Sequence, residues 1–124
     1  MPGVHVSRRR FEELVADALD SIPPALAEQM DNVAVLVEEW PTREQLAGRD
    51  GTLLGLYEGI ALTDRSPLSY AGVVPDRITV FRGPLSELAR DEVDLARHIR
   101  VTVVHEVAHH FGIDDDQLDA LGWS

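Results

Sequence analysis

No cysteine occurs anywhere in the chain, which excludes a disulfide framework, a thiolate metal site and a thiol nucleophile together. Any metal would have to be held by imidazole and carboxylate groups. Lysine is absent too: all 11 bases are arginine, set against 22 acids. The resulting formal charge of -11 disfavours nucleic acid as a partner, because binding to a phosphate backbone runs on clustered cations. No apolar run approaches a bilayer span, and no apolar stretch stands behind Arg8, Arg9 and Arg10 to make a secretion signal. The expectation is a soluble, cytoplasmic monomer with no membrane partner. What is present, 124 residues with 44% hydrophobic and 27% charged, suits one globular domain over residues 1–124.

Hydrophobic spacing predicts the elements. Ser7 reads as an N-cap to a helix over 8–19, with Phe11, Leu14, Val15, Ala18 and Leu19 recurring at three- and four-residue intervals. Pro23 and Pro24 end it, and a short helix at 25–29 follows. Strands are expected at 33–37, at 53–57 and at 77–81, the last closed by Gly83 and Pro84, with a loop over 61–76. The pattern becomes helical from Ser86. A long helix over 91–111 turns Ala96, Ile99, Val103, Val104, Val107 and Phe111 to one side. Gly112 stops it, and a last helix over 114–121 opens with Asp114 and Gln117 spaced as a capping box. Helix, three strands, long helix, short helix is an α+β order.

The chemistry lies in the long helix. His105, Glu106, Val107, Ala108 and His109 spell HExxH. Imidazoles at i and i+4 sit about 40° apart around the axis and about 6 Å along it, so both can reach one ion. Glu106 projects to the side, better placed to meet a metal-bound water than to bind the metal. With 5 His and 10 Glu in the chain, chance would produce this pentad about once or twice in a hundred such sequences. The arc that carries it faces away from the Val103, Val107 and Phe111 stripe.

A hydrolytic zinc site needs three protein ligands and one open position. After His109 the side chains able to serve are His110, Asp114, Asp115, Asp116 and Asp119, and no Glu lies downstream. The extended pattern HExxHxxGxxD puts Asp115 three residues beyond Gly112, where a sharp turn can return it to the metal. Asp116, or no third ligand, stays open as the alternative. His98 reads as solvated, His110 as a helix-end residue near the C-terminal dipole, and Tyr57 and Tyr70 as packing residues, although they are the phenols available to an oxyanion. Trp40 and Trp123 read as hydrophobic clasps.

The segments FEELV at 11–15, NVAV at 32–35, LLGLYEG at 53–59, PDRITVFRGPL at 75–85 and VVHEVAHHFGID at 103–114 together resemble the minimal zincin-like metallopeptidase family of small bacterial domains. The resemblance implies a cut-down zincin fold, with a small sheet of three or four strands and a backing helix behind an active-site helix. It implies zinc held by His105, His109 and Asp115, Glu106 as general base, and a peptide or protein as substrate. One feature of larger Asp-ligand zinc peptidases is missing: they carry a methionine turn beneath the metal, whereas Met1 and Met30 both lie far upstream. The expected function is zinc-dependent peptide hydrolysis, with an extended substrate beside the strand at 53–57. The alternative is a non-catalytic protein-binding module that keeps a structural or vestigial zinc site.

Overall fold

The computed structural model describes residues 3–30, 33–47, 53–59 and 76–120, apart from the side chains of Ala25, Gln29, Asp115 and Asp119. Tyr70, Trp123 and the expected loop before Asp76 lie outside the described residues.

The first helix, α1 (Arg8–Asp20), begins where the Ser7 hydroxyl oxygen accepts the Arg10 N–H at 3.0 Å. That bond satisfies one of the free donors of the first turn. Its Phe11, Leu14, Val15 and Ala18 are buried, as their spacing requires. A short α2 (Pro24–Gln29) follows, starting on the proline that the free first turn tolerates. Strand β1 (Val33–Glu38), a single-turn α3 (Arg43–Leu46), strand β2 (Gly55–Glu58) and strand β3 (Asp76–Phe81) come next. The sheet has the order β1-β3-β2, with β1 parallel to β3 and β2 antiparallel to it. Helices α4 (Arg82–Leu88), α5 (Glu92–His110) and α6 (Asp115–Ala120) complete the described chain. The fold is α+β, a small mixed sheet with helices packed on it.

The sheet's alternation decides which face is covered. Val33, Val35 and Val37 of β1, Tyr57 of β2 and Ile78 and Val80 of β3 turn toward α1 and α5 and join one hydrophobic cluster. Phe11, Leu26, Leu95, Ile99, Val103 and Leu118 fill that cluster and are fully buried. Each such side chain contributes about 1.5–3 kcal/mol of transfer free energy. Leu118 ties the last helix to this core, so the turn after α5 has a fixed destination.

Three expectations need correction. The helical part begins at Arg82 and not at Ser86: β3 ends at Phe81, before Gly83 and Pro84 as expected, but these two already lie in the first turn of α4, where a proline's missing N–H removes no intrahelical bond. Phe111 does not join the core stripe. The helix ends at His110, and Phe111, as its C-cap, leaves the 100° progression and is 39% exposed. His98 is half-buried instead of solvated, its Nε2 3.4 Å from Asp94 Oδ2. Residues 43–46, for which the spacing gave no element, form α3 under a Thr42–Gln45 capping box.

The start of α5 carries a buried acid. Asp91 caps the helix by accepting the Asp94 N–H at 2.8 Å. The Asp94 carboxylate in turn accepts the Arg90 N–H at 3.0 Å and the Arg97 guanidinium at 2.8 Å. The Arg90 N–H first, and then the Arg97 guanidinium, hold this carboxyl well below the usual range. A depressed native pKa stabilises the fold above the unfolded value and loses that contribution as pH falls. Asp94→Asn should therefore lower the melting temperature at pH 7, with the wild-type advantage fading as pH drops below about 4. Thermal unfolding followed across pH tests this, and a difference that persists undiminished into strong acid would refute it.

Candidate functional site

Helix α5 buries Ile99, Val103, Val104, Val107 and Ala108. The opposite arc of its C-terminal half carries His105 and Glu106, both half-buried, and His109, which is exposed. The two imidazoles lie one turn apart with ring centroids separated by 5.9 Å and planes 23° from parallel. That arrangement is the part of a zinc site that one helix can supply, and the nitrogen donors suit the ion. Among the described residues no three His, Asp or Glu side chains gather as a metal-holding group. The side chain of Asp115 lies outside the described set, so the backbone alone reports on that position.

The backbone after α5 turns sharply. Gly112 has φ of 76° with nothing within 4 Å of a hypothetical Cβ, so its requirement is conformational. The Gly112 and Ile113 N–H groups donate to the carbonyls of His109, at 3.2 Å, and Ala108, at 2.7 Å, folding the chain back over the last turn. Asp114 and Gln117 then form the reciprocal capping pair, each side chain accepting the other's N–H at 2.8 and 2.9 Å. Asp114 is thus a helix cap, as its spacing predicts. Asp115 opens α6 as the third residue after Gly112, and Asp116 is exposed.

Glu106 meets the sheet. Its Oε1 accepts the backbone N–H of Tyr57 at 3.1 Å. Strand β2 is an edge strand, and the Leu54 carbonyl accepts the Phe81 N–H at 3.0 Å. By alternation, the peptide groups of Gly55 and Tyr57 point out of the sheet. The carboxylate is therefore fixed at the free edge of β2. Gly55 makes the approach possible: a Cβ there would lie 2.6 Å from the Thr102 methyl and 3.2 Å from the Thr79 carbonyl.

Tyr57 binds the end of α5 with its side chain as well. Its ring stacks on His110 at 3.8 Å and stands edge-on to Phe111 at 6.1 Å. Its hydroxyl donates to Asp76 Oδ2 at 2.9 Å, and His110 Nε2 lies 3.9 Å from the same oxygen. Burial, reinforced by Asp76, pushes the phenol up to about 12, so it stays protonated and donates to that carboxylate. His110 is held to the sheet by this stack. The anchoring by Asp76 and the tether through a backbone N–H carry no local sequence signal, since Tyr57 and Glu106 are 49 residues apart.

Among the described residues no helix is long and apolar enough to cross a membrane. No curated protein matches the chain. A conserved hypothetical protein from Thermo thermophilus has a similar solved structure, with a TM-score of 0.53, 25% identity, and coverage of 94% of this chain and 97% of that one. The family described as zincin-like metallopeptidase matches residues 30–123, a span that contains the sheet, the HExxH helix and the turn at Gly112, and the chain belongs to that family.

Proposed function

We propose that the protein is a zinc-dependent peptidase in which His105, His109 and Asp115 hold the metal and Glu106 is the general base. The observation that carries this reading is the Glu106 carboxylate fixed at the outward edge of β2 beside the paired imidazoles of α5. A bound zinc would supply a Lewis acid for the peptide carbonyl and lower the pKa of a water to about 7. Tyr57 N–H holds Oε1 of Glu106, which leaves the second carboxylate oxygen to take a proton from the attacking water and return it to the leaving nitrogen. With the Tyr57 N–H taken by Glu106, the outward N–H and carbonyl of Gly55 and the carbonyl of Tyr57 are the groups suited to align an extended substrate by strand addition. The Tyr57–Asp76 bond and the His110 stack keep the edge strand and the helix end in register while this happens. The substrate is a peptide or protein, cut by a monomer in the cytoplasm.

A broad peptide-library digest by the zinc-loaded, the chelated and the zinc-restored protein tests this function. Cleavage is expected in the first, lost in the second and recovered in the third. No cleavage by the loaded form across the library would replace the peptidase reading with a binding module that carries a structural metal.

A further inference from the structure

The face of the sheet turned away from α1 and α5 holds a groove of about 620 Å³, lined by side chains of all three strands and roofed on one side by α3. This volume falls in the range of ligand sites. Alternation explains its lining. With Val35, Tyr57 and Ile78 turned into the core, Leu36 and Glu38 of β1, Arg77 of β3 and Glu58 of β2 turn outward into the groove. We propose that this groove docks a basic, extended polypeptide segment.

Two independent features favour that occupant. Leu36 is 41% exposed and Trp40 54% exposed, two large apolar side chains open to solvent at the same groove. One side of the Trp40 indole lies against Gly83, where a Cβ would come within 2.3 Å of Cε2. The indole is still half exposed and lines the groove, where it can receive an aliphatic stem or a guanidinium. The charge is one-sided as well. Among the described lining residues, Glu38, Glu44 and Glu58 face the single base Arg77, and Arg77 Nε already lies 3.5 Å from Glu58 Oε1. Glu38 and Glu44 have no ion-pair partner among the described residues. A cation entering between them and Trp40 therefore meets uncompensated carboxylates and an aromatic face together.

The shape calls for a chain segment. Three strands span two spacings of about 4.8 Å, so a ligand crossing them needs about 10 Å, or three extended residues. Strand β2 turns Leu56 and Glu58 to this groove while its Tyr57 N–H holds Glu106. A polypeptide lying in the groove thus ends beside the candidate site, yet its docking does not depend on hydrolysis.

Fluorescence anisotropy decides it, using short labelled peptides that alternate Leu with Arg, Gln or Glu, titrated into the full chain carrying Glu106→Gln so that no peptide is consumed. The Arg peptide should bind about tenfold or more tightly than the Gln peptide, and the Glu peptide should bind worst. Glu38→Gln with Glu44→Gln should cost about tenfold, and Trp40→Ala should weaken binding further. Asp17→Asn with Asp20→Asn makes the same charge change on α1, away from the groove, and should cost less than about twofold. An Arg peptide bound no better than the Gln peptide would overturn the proposal. So would an α1 pair that costs as much as the groove pair, since attraction would then come from net charge alone.

Discussion

Glu106→Gln is expected to keep its zinc and its fold while peptide hydrolysis falls by about a hundredfold or more, the loss typical of removing a general base. The substitution is unusually clean here. Glutamine retains a side-chain oxygen, so the Tyr57 N–H that now donates to Oε1 at 3.1 Å still has its acceptor. Position is preserved and only basicity is removed. The measurement is kcat/KM for wild type and variant at matched zinc occupancy, with a chelated control. Equal rates in the two would show that the carboxylate moves no proton, and would assign the cleavage to something other than this site.

Removing both imidazoles should have a still simpler outcome. His105→Ala with His109→Ala is expected to reduce bound zinc from one per chain to none. The fold should survive, because α5 holds the core through Ile99, Val103 and Val107 on its other side. Metal analysis of protein purified without an affinity tag reads the stoichiometry, and far-ultraviolet circular dichroism checks the helix. One zinc retained by the double variant would move the site elsewhere. The same assay separates the aspartates: Asp115→Ala should weaken zinc far more than Asp116→Ala, because the turn at Gly112 selects the third residue beyond it. Equal losses would count against that geometry.

Periodicity made most of the helical layer readable. Phe11, Leu14, Val15 and Ala18 are spaced for one face, and the folded helix buries those four. The Asp114 and Gln117 pair announces the start of the last helix in the same local way. Local signals also misled. Pro84 looks like a breaker until its place in a first turn is known, and Phe111 fits the core stripe only if the helix runs one residue further. Thr42 and Gln45 did carry a usable signal, a capping box with no hydrophobic period behind it. The HExxH spacing set out the helix side of the candidate site. The sheet side was hidden, since an N–H is the same on every non-proline residue and only tertiary folding aims the one at Tyr57 toward Glu106.

The contact at Gly55 limits how a protein of this design can diversify. Ordinary enzymes retune what they accept by exchanging the side chains that line the cleft. On the inner face of β2 that route is closed: position 55 has no room for even a methyl against Thr102 and the Thr79 carbonyl, and Tyr57 is occupied with Asp76 and His110. A larger residue at position 55 would lever the edge strand away from the helix and carry the Tyr57 N–H off its carboxylate. Variation that leaves this edge intact is therefore channelled to the opposite side of the same strand, to Glu58, where a new side chain would alter the groove without moving Glu106, whereas Leu56 beside it is itself buried.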